Sequence, residues 1–508
     1  MRTLLFAVLL SACATDHAAK IAKENAEPKS QAALRQGASH APSPDPWTGR
    51  DDLFVAPSLH PNTKVSLGNL DRFTLPNGLQ VILVPRTTVA SVEITLAIKA
   101  GHYSDPVDKA GIAEFAASML HEGTKKRSSK QIAEAIDFVG GSLEAQAGDE
   151  STFVSCHART ENLKLCVDLV GDVSLNPTFP AKELEEIRQQ LAGAVEQVKD
   201  SPQQLAVEHA RNLYYGENDP RGRSLSVRSL AAIDRAALVD FHHHWFTPAN
   251  AVLAISGDFK SKSLRAMIVT AFGGWKTPKD AAQAQTELPD PVKANGLTVR
   301  LVDKPDATQS NVLIVGPGIA HGSPDYYAVQ LMNFVLGGGS FSSRLMKVIR
   351  SEGGKTYGAH SSYSARRRVG PFSISTFTRN SETAPTLKLI FGEIDKMRKS
   401  GPTDAELTAA KGNLIGGYGL RLETGSDLAE ALLVTIIDAL TPDFVEKFPQ
   451  RMQEVTRDQA VAAAAAHLTP TAMVVVGRAA EVKAMLESAG YKVGAAVPYT
   501  APVSSTER

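Results

Sequence analysis

The chain is poor in the features that would settle its class at once. It has 3 cysteines in 508 residues, and no two of them form a Cys-x-x-Cys pair. A disulfide-stapled scaffold and a zinc ribbon are therefore excluded. It has no excess charge of either sign, with 54 basic and 54 acidic side chains. A general nucleic-acid binder would carry a basic surplus, so that class is set aside. Beyond the N-terminus, no apolar run approaches the ~20 residues of a membrane-spanning helix. Aromatic residues make up only 6%. What is present, 43% hydrophobic and 21% charged residues, is ordinary for a folded soluble body. At roughly 100–200 residues per domain, the length predicts several domains.

The N-terminus reads as an address. Arg2 precedes the apolar stretch Leu4–Leu10, too short to span a bilayer but suited to a secretory signal. The string Leu10-Ser11-Ala12-Cys13 resembles the bacterial lipobox, which predicts acylation of Cys13 and a lipid anchor. An ordinary signal peptide cleaved nearby, or an internal start, are the competing readings. Residue 14 is Ala rather than Asp, which by the sorting rule for such lipoproteins resembles an outer-membrane destination on the periplasmic side. Between residues 14 and 50 only Ile21, Leu34 and Trp47 are large hydrophobes, so 13–65 is expected to be a tether.

The remainder echoes itself. Phe246–Leu253 resembles Leu468–Val475 at an offset of 222 residues (468 − 246), and Phe179–Leu184 resembles Gly401–Leu407 at nearly the same offset. Two similar units are expected, at 66–280 and 297–490, with a linker at 281–296 and a tail at 491–508. Local patterns repeat within each. Asn77-Gly78 between alternating apolar runs predicts a β-hairpin. Strands are expected at Val89–Ala100, Ser142–Gln146 and Thr152–Ala158, and helices at Asp108–His121, Glu161–Asp172 and from Pro180 to about Lys199. Ser128-x-x-Gln131 and Thr403-x-x-Glu406 read as capping boxes. The fold class is therefore α+β, each unit a mainly antiparallel sheet with helices on one face.

Taken in order, LPNGLQVILV, AGHYSDP, GIAEFAASMLHEGT, FPAKELEEIRQQ, NLYYGENDPRG and FTPANAVLAISGD resemble the first domain of the insulinase/pitrilysin-type zinc peptidases, family M16. LGGGSFSSRLMKVIRSEGGKTYGAHSSY resembles the second, mitochondrial-processing-peptidase-like domain of that family. Active members carry His-x-x-Glu-His on one helix, so that two imidazoles share a helix face and grip one zinc ion. A third ligand, a Glu, follows about 76 residues later on the long helix. Here those positions hold Glu114, Ala117, Ser118 and Ala194. One carboxylate cannot supply three strong ligands, and the water-activating base is missing. The resemblance thus implies a chain that holds no catalytic zinc of its own.

Other candidates are weaker. Three consecutive helix residues point about 100° apart, so His242-His243-His244 reads as a polar helix face rather than a metal site. His121-Glu122 has no partner at ligand spacing. Gly353-Gly354-Lys355-Thr356 lacks the first Gly of a phosphate loop, since residue 349 is Ile. Arg366-Arg367-Arg368 reads as a solvated turn, with an anionic ligand as the alternative. Cys156 and Cys166 are placed where an oxidising compartment would permit a disulfide, though spacing alone does not establish one.

The second half keeps Arg350 and Tyr357. The resemblance implies that they reach the substrate backbone and the transition-state oxygen; a helix cap and a core tyrosine are the alternatives. Gly337-Gly338-Gly339 resembles the cavity-facing glycine-rich segment of processing-peptidase subunits. The leading expectation is a non-catalytic, substrate-binding subunit of a heterodimeric M16-type peptidase. Its partner would carry an intact His-x-x-Glu-His and the zinc. A binding or assembly protein of the same fold is the second expectation; an active hydrolase with an unrecognised site is the third.

Overall fold

Hydrophobic alternation and turn chemistry assemble two sheets, one from each half of the chain. The computed structural model describes residues 49–50, 65–282, 288 and 296–503. Residues Met1–Leu59 and His60–Arg508 are separate units, and the fold is that of the second. The signal peptide, Cys13, nearly all of the tether and most of the linker 281–296 lie outside the described residues.

The first sheet contains β1 (Asp71–Thr74), β2 (Gln80–Pro85), β3 (Ser91–Ile98), β4 (Ser142–Ala147), β5 (Thr152–Arg159) and β6 (Ala251–Gly257). Their order is β1-β2-β6-β3-β5-β4. The expected hairpin is β1–β2. The Asn77 carboxamide oxygen accepts from the Leu79 amide at 3.2 Å, closing the turn.

The second sheet contains β7 (Thr298–Asp303), β8 (Gln309–Pro317), β9 (Ala359–Tyr363), β10 (Pro371–Arg379), β11 (Ala472–Gly477) and β12 (Val497–Pro498), in the order β12-β7-β11-β8-β10-β9. Five neighbouring strands correspond one to one, β2-β6-β3-β5-β4 with β7-β11-β8-β10-β9. In each sheet the first of these pairs is parallel and the other three are antiparallel. The echoes lead into corresponding elements: the segments at 246 and 468 feed β6 and β11. Those at 179 and 401 open the helices Ala181–Val198 and Asp404–Leu420. Both capping boxes are formed, at Ser128/Gln131 and Thr403/Glu406. The sheet also takes in Val497–Pro498, within the stretch expected as a tail.

Each half covers one face of its own sheet with its own helices. Residues with the opposite parity along the strands bury into a different cluster. Val81 and Leu83 of β2 and Leu253 and Ile255 of β6 join the core of the first half. Ile82, Val84, Val252 and Ala254 point the other way. They meet Leu428, Leu432 and Leu433 of the helix Gly425–Ile437, which comes from the second half. The exchange is reciprocal. Leu205, Ala206, Leu213 and Tyr214 of the first-half helix Pro202–Tyr215 pack on Val315, Ala472, Val474 and Val476 of the second sheet. Truncating a buried leucine in such a seam, Leu205 or Leu432 to Ala, removes about 2–5 kcal/mol.

An arginine inside this seam is paired across it. Arg300 on β7 donates to the Asn212 side-chain oxygen at 3.0 Å and to the His209 carbonyl at 3.4 Å. Burial, with the Arg300 charge adding to it, pushes the His209 imidazole down to about 4. The ordinary value is about 6.5. Between about pH 4 and 6.5 the unfolded chain therefore holds a proton on this ring that the folded chain does not. Its contribution to stability is full above that window, falls as pH drops through it, and levels off below. Denaturant unfolding across pH should show the difference directly. His209→Gln should gain relative to wild type as pH falls from about 7 to 4, by roughly 3 kcal/mol at most.

Candidate functional site

The motif helix begins later than expected, at Ile112 rather than Asp108, and ends at Met119. Gly111, with φ of 93°, turns the chain into it, a conformation that suits glycine. Asp105 caps the helix from outside, its carboxylate accepting from the Gly111 amide at 2.6 Å and the Ala113 amide at 3.1 Å. Burial nevertheless pushes this carboxyl up to about 7, against the pull of those two amides and of Arg223. Sequence reading missed this acid, although it lies within the quoted AGHYSDP segment. The signal was an Asp placed where its side chain reaches the first amides of a helix that lacks a Ser, Thr, Asp or Asn cap.

The four ligand positions are well defined. Glu114 and Ser118 are half-buried, one turn apart on the same helix face. Burial holds the Glu114 carboxyl above the ordinary range, with the Ala147 backbone opposing. Ala117 is completely buried in the first core, and Ala194 is exposed on the helix Ala181–Val198, which packs against the motif helix. This set does not fit a zinc ion. Two methyls and a hydroxyl stand where imidazoles and carboxylates would be, and the position of the catalytic Glu is core. No other group of three His, Cys, Asp or Glu side chains among the described residues is arranged to hold a metal.

The histidine run has separate roles. His242 is half-buried, with Nε2 2.8 Å from the Ser174 carbonyl and its ring stacked on Phe246. His243 pairs with Asp280 at 3.2 Å, and His244 Nδ1 lies 2.7 Å from the Asp240 carbonyl. His121 Nε2 lies 3.4 Å from its neighbour Glu122. Lys355, in the phosphate-loop imitation, pairs with Glu382 at 2.5 Å.

Arg366-Arg367-Arg368 is not simply a solvated turn. Arg368 crosses to the first half and meets Glu150 at 3.3 Å, and the Arg366 carbonyl accepts from the His321 amide at 2.7 Å. Hairpin periodicity placed the turn correctly, but only the packing of the two halves brings Glu150 to it. Cys156 on β5 and Cys166 on the helix Leu163–Leu175 form a disulfide, with Cα atoms 5.5 Å apart.

In the second half, Arg350 lies inside a π-helical stretch, Met346–Glu352, with its guanidinium 4.6 Å from the centre of the Phe341 ring. β9 starts at Ala359, and Tyr357 stands just before it, 78% exposed. A core role for Tyr357 is thereby removed. Gly337-Gly338-Gly339 ends the helix that continues Tyr326–Asn333 through a π turn, and it precedes the helical stretch that holds Arg350. A Cβ on Gly337 would stand 2.5 Å from the Ser361 amide of β9, so close backbone approach explains that glycine.

Two sheets related by duplication, each receiving a helix from the other, with a degenerate metal helix in the first half, define a peptidase-like two-domain chain. A family model for insulinase (peptidase family M16) matches residues 80–226, and one for the peptidase M16 inactive domain matches 232–414. The chain belongs to the M16 family. An uncharacterised zinc protease of Mycobacterium leprae is 28% identical over 390 residues, 76% of this chain and 87% of that protein. A zinc protease of Bacillus subtilis is 24% identical over 356 residues, 70% of this chain and 85% of that one. Among solved structures, a peptidase M16 inactive domain from Pseudomonas fluorescens is 26% identical with a TM-score of 0.75, covering 80% of this chain and 98% of its own. A Helicobacter pylori protease shares the fold, with 21% identity, a TM-score of 0.73 and coverage of 80% and 99%.

The Asp105 cap has a measurable cost. Asp105→Ala strands two amides at the start of the motif helix and should lower stability by about 1–3 kcal/mol in denaturant unfolding near neutral pH.

Proposed function

We infer that this chain is the non-catalytic, substrate-binding and chamber-completing subunit of a heterodimeric M16-type zinc peptidase in the bacterial cell envelope. The observation that carries this reading is an asymmetry. The ligand helix holds Glu114, Ala117 and Ser118, with Ala194 at the third position, while Arg350 and Tyr357 remain in place in the second half, with Tyr357 projecting into solvent. An exposed phenol and a guanidinium are good donors to a carbonyl oxygen that gains negative charge. The zinc, the water and the general base belong to the partner, a similar chain with an intact His-x-x-Glu-His. The peptide lies between the two. Residues 66–280 and 297–490 are its two domains, and the interface with the partner is on the order of 2,000 Å² or more.

Passage to an oxidising compartment accords with the Cys156–Cys166 disulfide. Acylation at Cys13 anchors the chain on the periplasmic side, at the outer membrane.

In the reconstituted heterodimer, Tyr357→Phe should lower peptide turnover ~10²-fold while leaving assembly intact. Arg350→Ala should lower turnover and weaken peptide binding. Wild-type rates in both variants would assign the pair to structure and favour a binding or assembly protein instead. Fractionation of cells tests the anchor: the wild type should sediment with membranes, and Cys13→Ala should remain soluble or unprocessed. A wild type found free in the soluble fraction would end the lipoprotein reading.

A further inference from the structure

The helix Pro202–Tyr215 covers only part of the second sheet. It packs on β7, β8 and β11, leaving the same face of β10 and β9 open. At this step the structure has a cavity of about 600 Å³, within the range of ligand sites. Its helix wall is formed by Ala206, Val207 and Ala210, a stripe at helical spacing. The two alanines make the space, since a larger residue at either would meet the sheet. Val207 is 41% exposed at the wall.

The sheet floor comes from outward-facing positions of two strands, including Leu313, Ser373, Ser375 and Phe377. The cavity is thus apolar against Val207, Leu313 and Phe377 and hydroxyl-lined between them. Its ionisable side chains nearly balance: Arg211 and Asp149 approach to 3.9 Å, and His360 is the remaining imidazole. Tyr215 also lines the cavity, 5% exposed, and its hydroxyl has no hydrogen-bond partner among the described residues. A buried hydroxyl left without a partner is costly unless something arrives to meet it. The wall also includes Gly358, the residue that follows Tyr357.

We propose that this cavity is a side-chain subsite for an extended peptide, selecting an uncharged aromatic or branched apolar residue, with the Tyr215 hydroxyl donating to a peptide carbonyl. An apolar side chain fits between Val207, Leu313 and Phe377, and a charged one finds no unpaired counter-ion. The serines on β10 offer hydrogen bonds to a peptide backbone passing over them. The subsite rests on the peptide-binding reading above and adds a sequence preference to it.

The test is fluorescence anisotropy on the purified full-length chain with two labelled peptides. One is a short unstructured Gly/Ser/Gln peptide with a single central Phe; the other carries Gln in place of that Phe. The Phe peptide should bind roughly tenfold or more tightly, as expected for burying one aromatic side chain. Val207→Asp and Val207→Phe, one charging and one filling the mouth, should each remove that preference without changing the thermal midpoint. Tyr215→Phe should weaken both peptides several-fold. Equal binding of the two peptides by wild type would overturn the subsite while leaving peptide binding itself intact. Binding of neither would remove the peptide-binding reading and the subsite together. Unchanged affinity in Tyr215→Phe with a raised thermal midpoint would show an unpaired hydroxyl with no ligand role.

Discussion

The reciprocal exchange of helices across the two sheets is the contact on which the remaining architecture depends. In β2, β6 and β11, alternate residues serve different cores: one parity holds a half together and the other holds the halves to each other. A strand buried on both faces cannot shift by one residue without exchanging these two sets, so register and assembly of the halves are fixed by the same constraint. The cost of failure is high because the sets are large aliphatic side chains on both sides. Arg300, reaching Asn212 and His209 from β7, adds directional contacts to an otherwise apolar seam.

This arrangement accounts for how a degenerate site can persist in an intact fold. The motif helix is held by Asp105 at its start and by Ile112, Phe115, Ala116 and Met119 in the core, none of which is a metal-ligand position. A helix supported by its cap and its buried face does not require an ion between its neighbours. Ala117 now packs as a core residue. Glu114 and Ser118 stand half-buried and Ala194 exposed at the remaining ligand positions, outside the contacts that hold the helix.

The second sheet keeps an open strip because the crossing helix is narrower than the sheet it covers. Pro202–Tyr215 packs on the parallel side of the sheet, and β10 and β9 carry serines rather than leucines on the uncovered face. The exposed Tyr357 and the cavity at Gly358 are neighbours along the chain, so a peptide held at one would pass close to the other.

Local rules made much of this legible from sequence. Asn77-Gly78 marked its hairpin, Ser128/Gln131 and Thr403/Glu406 marked their helix starts, and the repeated offset near 222 anticipated the paired sheets. Each depends on residues close in the chain, whose geometry is set by turn and cap chemistry before any tertiary contact forms. The residues at the ligand positions were named by the family resemblance, and helical spacing then says that Glu114 and Ser118 share a face. Sequence could not show which side of β2 meets the other half, since alternation there is apolar on both faces and period alone does not name the partner. Nor could it pair Arg368 with Glu150, join Cys156 to Cys166, or leave Tyr357 in solvent rather than in the core. The Arg368–Glu150 pair depends on the packing of one half against the other, and the disulfide on how the helix Leu163–Leu175 packs on β5 within the first half; local sequence rules set neither.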